Sequence, residues 1–344
     1  MPERVPGPER VPGPERVLLV LATSTGGVGR HVQSLAAGLA ERGFAVTVAG
    51  PAGTGRVFAF PAYVPVEIGG RPHPARDLRA LLALRRLAAG ADLVHAHGLR
   101  AGGLAVLCPR PVVTTWHNTA DGRLGAALER LVARRADVVL AASPDLGARA
   151  RAAGGRDVRP GPVAASPLRA TGRDPGLGSP LVLAVGRLHP QKGYDTLLAA
   201  VPLLGAAVVA VAGDGPLEAA LRAAAPQVRW LGRRDDVADL LAAADVVVLP
   251  SVWEARSLTA QEALRAGRPL VATAVGGIPE LVRDGAVLVP PGDPRALATA
   301  VRGLLEDPAA AAAVAARGRA VAATWPTPDD TVDQVAALYR ELLG

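Results

Sequence analysis

Residues 244 to 267 read Ala244-Asp-Val-Val-Val-Leu249-Pro-Ser251-Val-Trp-Glu254-Ala-Arg-Ser-Leu-Thr-Ala-Gln-Glu262-Ala-Leu-Arg-Ala-Gly267. The apolar run Ala244 to Leu249 has the length and β-branched content of a buried strand, and Leu258 to Ala266 reads as a helix. The polar residues between them occupy a strand-to-helix corner, the place where open α/β sheets bind ligands. Two glutamates stand there with seven residues between them, Glu254 in the loop and Glu262 on the helix. Carboxylates that close to a sheet need partners, and this stretch alone leaves three roles open: a helix cap, an acid/base pair, or a clamp on a ligand.

The same unit repeats on both sides. From Val17, strand candidates Val17 to Thr23, Phe44 to Ala49, Asp92 to Ala96, Pro111 to Trp116 and Ala136 to Ala142 alternate with helical runs. Residues Gly154 to Ser179, rich in Gly, Pro, Arg and Ser, break the pattern. It restarts with Leu181 to Gly186, Ala206 to Ala212, Val228 to Leu231, Ala244 to Leu249 and Pro269 to Thr273, and three helical segments follow Asp293. Such alternation predicts parallel sheets covered by helices, and 344 residues suit two cores better than one. The expected fold is α/β, two doubly wound Rossmann-like domains facing each other across a cleft. The expected divisions are a Pro-rich tail over 1–16, a first domain over 17–153, a link over 154–179, a second domain over 180–323 and a closing helix over 324–344. The tail repeats Pro-Glu-Arg-Val-Pro-Gly, and prolines at that density are expected to leave it disordered.

Composition narrows the function. The single cysteine, Cys108, excludes an intramolecular disulfide and a thiolate zinc site, and a cytoplasmic place is expected. The first apolar run, Val17 to Ala22, is too short for a secretory signal, and no run approaches the ~18 residues of a membrane span. The net charge of +7 is uneven: residues 1–170 hold 22 Lys/Arg and 12 Asp/Glu, residues 171–344 hold 16 and 19. A basic first half can serve an anionic substrate, anionic lipid or nucleic acid; with aromatic residues at 3% and no nucleic-acid motif, the last is not expected. The helical run Ala75 to Ala89 carries Leu78, Leu81, Leu82, Leu84 and Leu87 beside Arg76, Arg79, Arg85 and Arg86. It reads either as a core-facing helix with solvated arginines or as a peripheral contact with an anionic membrane surface.

Other corners carry chemistry too. Thr23-Ser-Thr-Gly26-Gly27-Val-Gly29-Arg30-His31 is glycine-rich between strand and helix, which suits close approach of an anion to the helix start, or merely a tight turn. His95 and His97 share a strand face and His117 ends another strand. A metal site on these three is disfavoured, because no carboxylate is spaced as a partner and zinc wants three or four ligands. His117 is instead a candidate for substrate contact, or a structural histidine. The second domain opens Gly186-Arg187-Leu188-His189-Pro190-Gln191-Lys192-Gly193, where Lys192 is the only lysine against 37 arginines. A compact ammonium at a strand-to-helix turn, with Arg187 beside it, could grip a diphosphate and stabilise it as it leaves. Thr259 and Glu262 also stand in a capping-box relation, which would close the helix end.

In order along the chain, Gly26-Gly27-Val28, Gly186-Arg187-Leu188 with Lys192-Gly193, Gly213-Asp214-Gly215-Pro216, the Glu254 and Glu262 pair, and Gly276-Gly277 with Glu280 resemble a retaining glycosyltransferase of family 4, with the GT-B fold. The resemblance runs from Val17 onward. It implies that Arg187 and Lys192 bind the diphosphate of a UDP- or GDP-sugar, Glu262 accepts from the ribose hydroxyls and Glu254 faces the donor sugar. It further implies that the backbone N–H groups of Ser257 and Leu258 lie near the phosphates, that His117 lies near the transferred sugar, and that Gly26, Gly27 and Gly186 border the donor. No metal or other cofactor is implied, Arg187 and Lys192 doing the work of a divalent ion. The closing run Trp325 to Leu343 resembles the helix that crosses back to the first domain. Three departures stand out: Ala255-Arg256-Ser257 replaces a common Gly-Phe-Gly, altering the sugar pocket; Pro160-Gly161-Pro162-Val163-Ala164 replaces the usual Pro-Asn-Gly-Val-Asp at the link; and the loop after Asp284-Gly285 is short.

The expected function is transfer of a sugar from a nucleotide-diphosphate sugar to an acceptor with retention of configuration, in cell-envelope, glycolipid or secondary-metabolite glycan synthesis. A sugar epimerase or phosphorylase on the same plan, and a non-catalytic nucleotide-sugar binder, are the alternatives.

Overall fold

The computed structural model describes residues 13–120, 122–161 and 163–344. The first twelve residues of the expected tail lie outside them. The tail's final residue belongs to the first sheet: Arg16 opens the strand Arg16–Leu21, its backbone N–H donating to Asp92 Oδ2 at 2.8 Å.

Seven strands form the first sheet: β1 (Arg16–Leu21), β2 (Ala45–Gly50), β3 (Tyr63–Pro65), β4 (Leu93–His97), β5 (Val112–Trp116), β6 (Val138–Ala141) and β7 (Val158–Pro160). All pair in parallel, in the order β3-β2-β1-β4-β5-β6-β7. Six more form the second: β8 (Leu181–Val185), β9 (Val208–Ala212), β10 (Arg229–Gly232), β11 (Val246–Leu249), β12 (Leu270–Thr273) and β13 (Val287–Val289), ordered β10-β9-β8-β11-β12-β13. The central strands are buried over nearly all their length, Leu19, Leu93, Leu181 and Val246 among them, as a sheet covered on both faces by helices requires.

Chain order reverses between β1 and β4 in one sheet and between β8 and β11 in the other. The carboxyl ends of neighbouring strands on either side of a reversal diverge to leave a crevice. The corners after β1, β8 and β11 hold Gly26-Gly27, Arg187 with Lys192, and Glu254. Topology thus brings together motifs that lie as much as two thirds of the chain apart.

The segment expected as a plain link differs from expectation at its start. β7 falls within it and finishes the first sheet, a strand of three residues with too little apolar sequence to show a period. The link then lies against the second domain: Ala165 N–H donates to Gln261 Oε1 at 3.0 Å, and Gln261 Nε2 donates to Val163 O at 3.0 Å. The last helix, Pro328–Leu343, returns to the first domain, where Val332, Val335 and Tyr339 join the core of Leu35, Leu39 and Phe44. A Cβ on Gly38 would stand 2.7 Å from a methyl of Val332, so a side chain there would push this helix outward.

Candidate active site

Glu254 is held on three sides. Its Oε1 accepts from Ser251 Oγ at 2.7 Å and lies 2.5 Å from Lys192 Nζ, while the residue is almost fully buried. Lys192 ends a short turn, Pro190–Lys192, after which Gly193 takes a left-handed φ of 61°. A side chain at Gly193 would run into the carbonyl of Pro250, so glycine lets the lysine corner press against the glutamate loop. Two further bonds lock the corners together: Val252 N–H donates to Gln191 O at 2.8 Å, and Gln191 Nε2 donates to Trp253 O at 2.9 Å. On the opposite flank Gly277 N–H donates to Glu254 O at 2.9 Å, and Gly276, at φ 51°, leaves no room for a Cβ beside that same oxygen.

Glu262 sits one turn into the helix Leu258–Arg265, also buried. The capping box that the spacing of Thr259 and Glu262 would allow does not form. Ser257 is the cap, its Oγ accepting from Ala260 N–H at 3.3 Å, and Thr259 Oγ1 turns away to donate to Val185 O at 3.2 Å. The free Glu262 carboxylate faces the first domain, where Arg30 NH1 lies 3.5 Å away. Burial raises its pKa, opposed by the charges of Arg30, Arg265 and Lys192. Ser257 and Leu258 stand at the start of this helix, where N–H groups are unpaired and the dipole is positive. Arg187 is exposed, and its side chain forms no ion pair among the described residues. A multiply charged anion could therefore take it without breaking a contact. Next to it, a Cβ on Gly186 would stand 3.2 Å from the Tyr194 hydroxyl, which donates to Gly186 O at 3.0 Å.

From the first domain, Gly26 caps and Gly27 opens the helix Gly27–Glu41. Nothing lies within 4 Å of where a Cβ of Gly26 would be, and that of Gly27 would meet Leu258 Cδ1 at 3.1 Å. The glycine corner and the glutamate helix thus face each other across the cleft. His117, just past β5, is partly exposed, and its Nε2 lies 3.2 Å from His97 Nδ1. His31, from the helix Gly27–Glu41, sets its ring 5.5 Å from both. Burial lowers the pKa of all three, to about 4 for His31, so they are neutral at pH 7. His95 is not with them: its ring nitrogens engage Tyr339 OH at 2.5 Å and Thr115 Oγ1 at 2.6 Å.

Arg256, the middle residue of the altered triplet, donates to Val163 O in the link at 3.1 Å. Two of the departures from the family pattern therefore meet each other. The guanidinium is largely desolvated, its pKa pushed down to about 10, and it borders a cavity of about 110 Å³ with Ser143, Glu280 and Arg283.

Residues 25–165 match the family described as Glycosyltransferase Family 4, and residues 179–307 match Glycosyl transferases group 1. Glycogen synthase of Mycobacterium tuberculosis (strain ATCC 25618 / H37Rv) is 32% identical over 355 aligned positions, covering 83% of this chain and 84% of that protein. The chain belongs to glycosyltransferase family 4. A shorter match, 37% identical over 187 positions, reaches the D-inositol 3-phosphate glycosyltransferase of Mycobacterium avium (strain 104), covering 48% of this chain and 44% of the relative. Solved structures share the fold. The structure of Anabaena Alr3699/HepE in complex with UDP and glucose superimposes with a TM-score of 0.83 at 21% identity, over 95% of this chain and 100% of that one. For WaaG, a glycosyltransferase involved in lipopolysaccharide biosynthesis, the TM-score is 0.75 at 20% identity, over 94% and 99%. The two parallel sheets are thus a GT-B pair, and the protein is a retaining glycosyltransferase that uses a nucleotide-sugar donor.

Four further residues acquire roles only in the folded chain. Arg30 reaches Glu262, Ser251 and Gln191 hold the Glu254 loop, and Trp253 Nε1 donates to Asp145 Oδ2 of the first domain at 3.2 Å. Arg30 alone had a signal, a basic residue on the first turn after the glycine corner. The others act through geometry that only the folded chain creates.

Proposed function

We propose that the donor is a UDP-hexose and that it lies between the two glutamates, with the base and ribose toward Glu262 and the sugar toward Glu254. The pinned Lys192–Glu254 pair carries this reading: one cation and one carboxylate, fixed at 2.5 Å, offer a phosphate partner and a hydroxyl partner side by side. Arg187 and Lys192 hold the diphosphate and stabilise the charge that grows on it as the sugar–phosphate bond breaks. The N–H groups of Ser257 and Leu258 add the helix-start field to the same phosphates. Glu254 accepts hydrogen bonds from sugar hydroxyls, and neutral His117 accepts or donates one at the sugar's other side. Gly26, Gly27 and Gly186 leave room for the donor against the backbone. UDP and UDP-glucose complexes of a neighbour with this fold support the base and the sugar class. The experiment is incubation with labelled UDP- and GDP-hexoses. Acceptor-dependent transfer with release of UDP supports the reading; turnover confined to GDP-sugars, isomerised donor, or binding without turnover each counts against it.

The acceptor side of the reading rests on the helix Pro74–Ala89. Ala80, Leu84 and Ala88 bury its inner face, yet Leu78 is 58% and Leu82 48% exposed beside Arg79, Arg85 and Arg86. Apolar and cationic side chains sharing an outer face suit an anionic bilayer surface, so the acceptor is read as lipid-linked. Among the described residues no helix is long and apolar enough to cross a membrane. Sedimentation with anionic vesicles tests this: binding that fades with salt is expected, and equal binding to neutral vesicles would oppose it.

A further inference from the structure

We infer that His31, His97 and His117 form a site for one divalent transition-metal ion of the zinc class, and that filling it withdraws His117 from the donor sugar. The second half rests on the reading of His117 given above.

Three separate elements deliver the ligands: the helix after the glycine corner, the end of β4, and the residue after β5. One ring nitrogen of each lies within 4.8 Å of the other two. Zinc–nitrogen bonds of about 2.0–2.1 Å in a tetrahedron put nitrogens roughly 3.4 Å apart. The His97 Nδ1 to His117 Nε2 distance of 3.2 Å already has that spacing. The third nitrogen, from buried His31, lies within 4.8 Å of both, so only that side chain has to close onto the pair. His95 stacks on His97 with ring centres 4.2 Å apart and holds that ring in place, its own nitrogens being occupied.

The hydrogen bonds set the tautomers. One nitrogen in the His97–His117 contact must carry the hydrogen. If it is His97, the Nε2 of that ring is a bare lone pair; if it is His117, His97 Nε2 is a free N–H. His97 Nε2 is buried and has no partner in either case. An ion on His97 Nδ1 and His117 Nε2 would take the two nitrogens that now face each other and fix the hydrogen of His97 on Nε2. Neutral imidazoles are the form that binds metal. Three nitrogens with no carboxylate favour a borderline-soft ion over Mg²⁺ or Ca²⁺, and the fourth tetrahedral position opens to the cleft through partly exposed His117. The ion is not needed for the diphosphate, whose cations are Arg187 and Lys192. It would act as a reversible inhibitor.

The test uses the full chain treated with EDTA and then dialysed free of it. Calorimetry with Zn²⁺ and visible absorption with Co²⁺ should show one equivalent bound, with the intense bands of a tetrahedral cobalt site. His31→Gln and His97→Gln, both at buried positions, should each weaken binding at least about tenfold, in keeping with the loss of one ligand, where their melting curves show them folded. Sugar transfer should fall in step with occupancy and return with EDTA. Absence of one-equivalent binding, or unchanged affinity in folded His31→Gln, overturns the site whatever the activity does. One equivalent bound at full transfer rate overturns the withdrawal of His117, and with it the placement of His117 at the sugar, while the metal site itself stands.

Discussion

Lys192 Nζ lies 2.5 Å from Glu254 Oε1, although the two residues are 62 positions apart on the corners after β8 and β11. The pair is mostly buried, with side-chain exposures of 20% and 7%. Its energetics follow from desolvation: the two charges offset each other, and removing one leaves the other stranded. Lys192→Met should therefore lower stability by up to about 3 kcal/mol, at the low end for a broken buried pair because the lysine keeps some water. If Lys192 holds the diphosphate as proposed, turnover should fall at least about tenfold as the leaving group loses a cation. Urea unfolding of the Lys192→Met/Glu254→Gln double variant checks the cause. It should be less destabilised than the sum of the singles, and strict additivity would mean the pair contributes no coupling.

Gly276→Ala should damage the site through the backbone. A methyl there has no room beside the Glu254 carbonyl, and φ is 51°. The glutamate loop must move or the turn must strain, at roughly 1–3 kcal/mol. Gly292→Ala is the control: φ is 73° with nothing within 4 Å, so it carries the strain of a left-handed alanine without the collision. Gly276→Ala should lose both stability and transfer, and Gly292→Ala only a little stability. Equal losses in the two would show that backbone conformation alone matters.

The fold was legible because both sheets are parallel and buried, which turns their strands into short apolar runs such as Val246–Leu249 between helical periods. What escaped were three of the four edge strands: β3, β7 and β13 are three residues each, too short for a pattern. At the site, glycines and charged residues at strand ends marked the corners, and the topology explains why those corners meet. The partner of each group was not legible. Whether Glu262 caps its helix or reaches Arg30 depends on Thr259 turning toward Val185, a choice made by packing and not by spacing. His31 escaped for the same reason, since a helix and two strand ends must be docked before three histidines become a cluster.

Glu262→Gln should stabilise the empty protein at neutral pH while weakening nucleotide affinity. Burial raises the Glu262 pKa above its unfolded value, so the folded state prefers the protonated acid. Its favourable contribution is complete below the unfolded pKa and is lost as pH rises through the folded one. The neutral amide removes that loss, and Arg30, more than half exposed, can return to water. The gain in melting temperature should be present at pH 7 and shrink toward pH 4. A variant that melts earlier at pH 7 would restore the helix-closing role that the structure denies.

Acid should weaken the fold earlier than carboxylate titration alone explains. His31 and His95 are held by burial to about 4 and about 3, and His97 and His117 well below their ordinary value. Folded-state pKa values below the unfolded one of about 6.5 mean that the stabilisation is present above pH 6.5 and is lost as pH falls toward 4, because the unfolded chain takes up protons the core refuses. Melting temperatures measured from pH 7.5 to 4.5 should fall steadily, and His31→Gln should flatten the slope. A profile level down to pH 4.5 would mean that these rings gain protons in the folded state.

Tyr339→Phe isolates what the last helix contributes by returning to the first domain. The hydroxyl lies 2.5 Å from His95 Nδ1, across 244 residues, and the tyrosine is fully buried with its ring edge-on to Phe44. Deleting one oxygen keeps the ring packing and leaves His95 Nδ1 unpaired in the core, a loss of about 1–3 kcal/mol for a stranded polar group. The urea midpoint should drop accordingly. Transfer should remain near wild type, because His95 still bonds Thr115 and still stacks on His97. A large fall in turnover with little loss of stability would instead show that the histidine row from His95 to His117 passes the hydroxyl's influence on to the sugar.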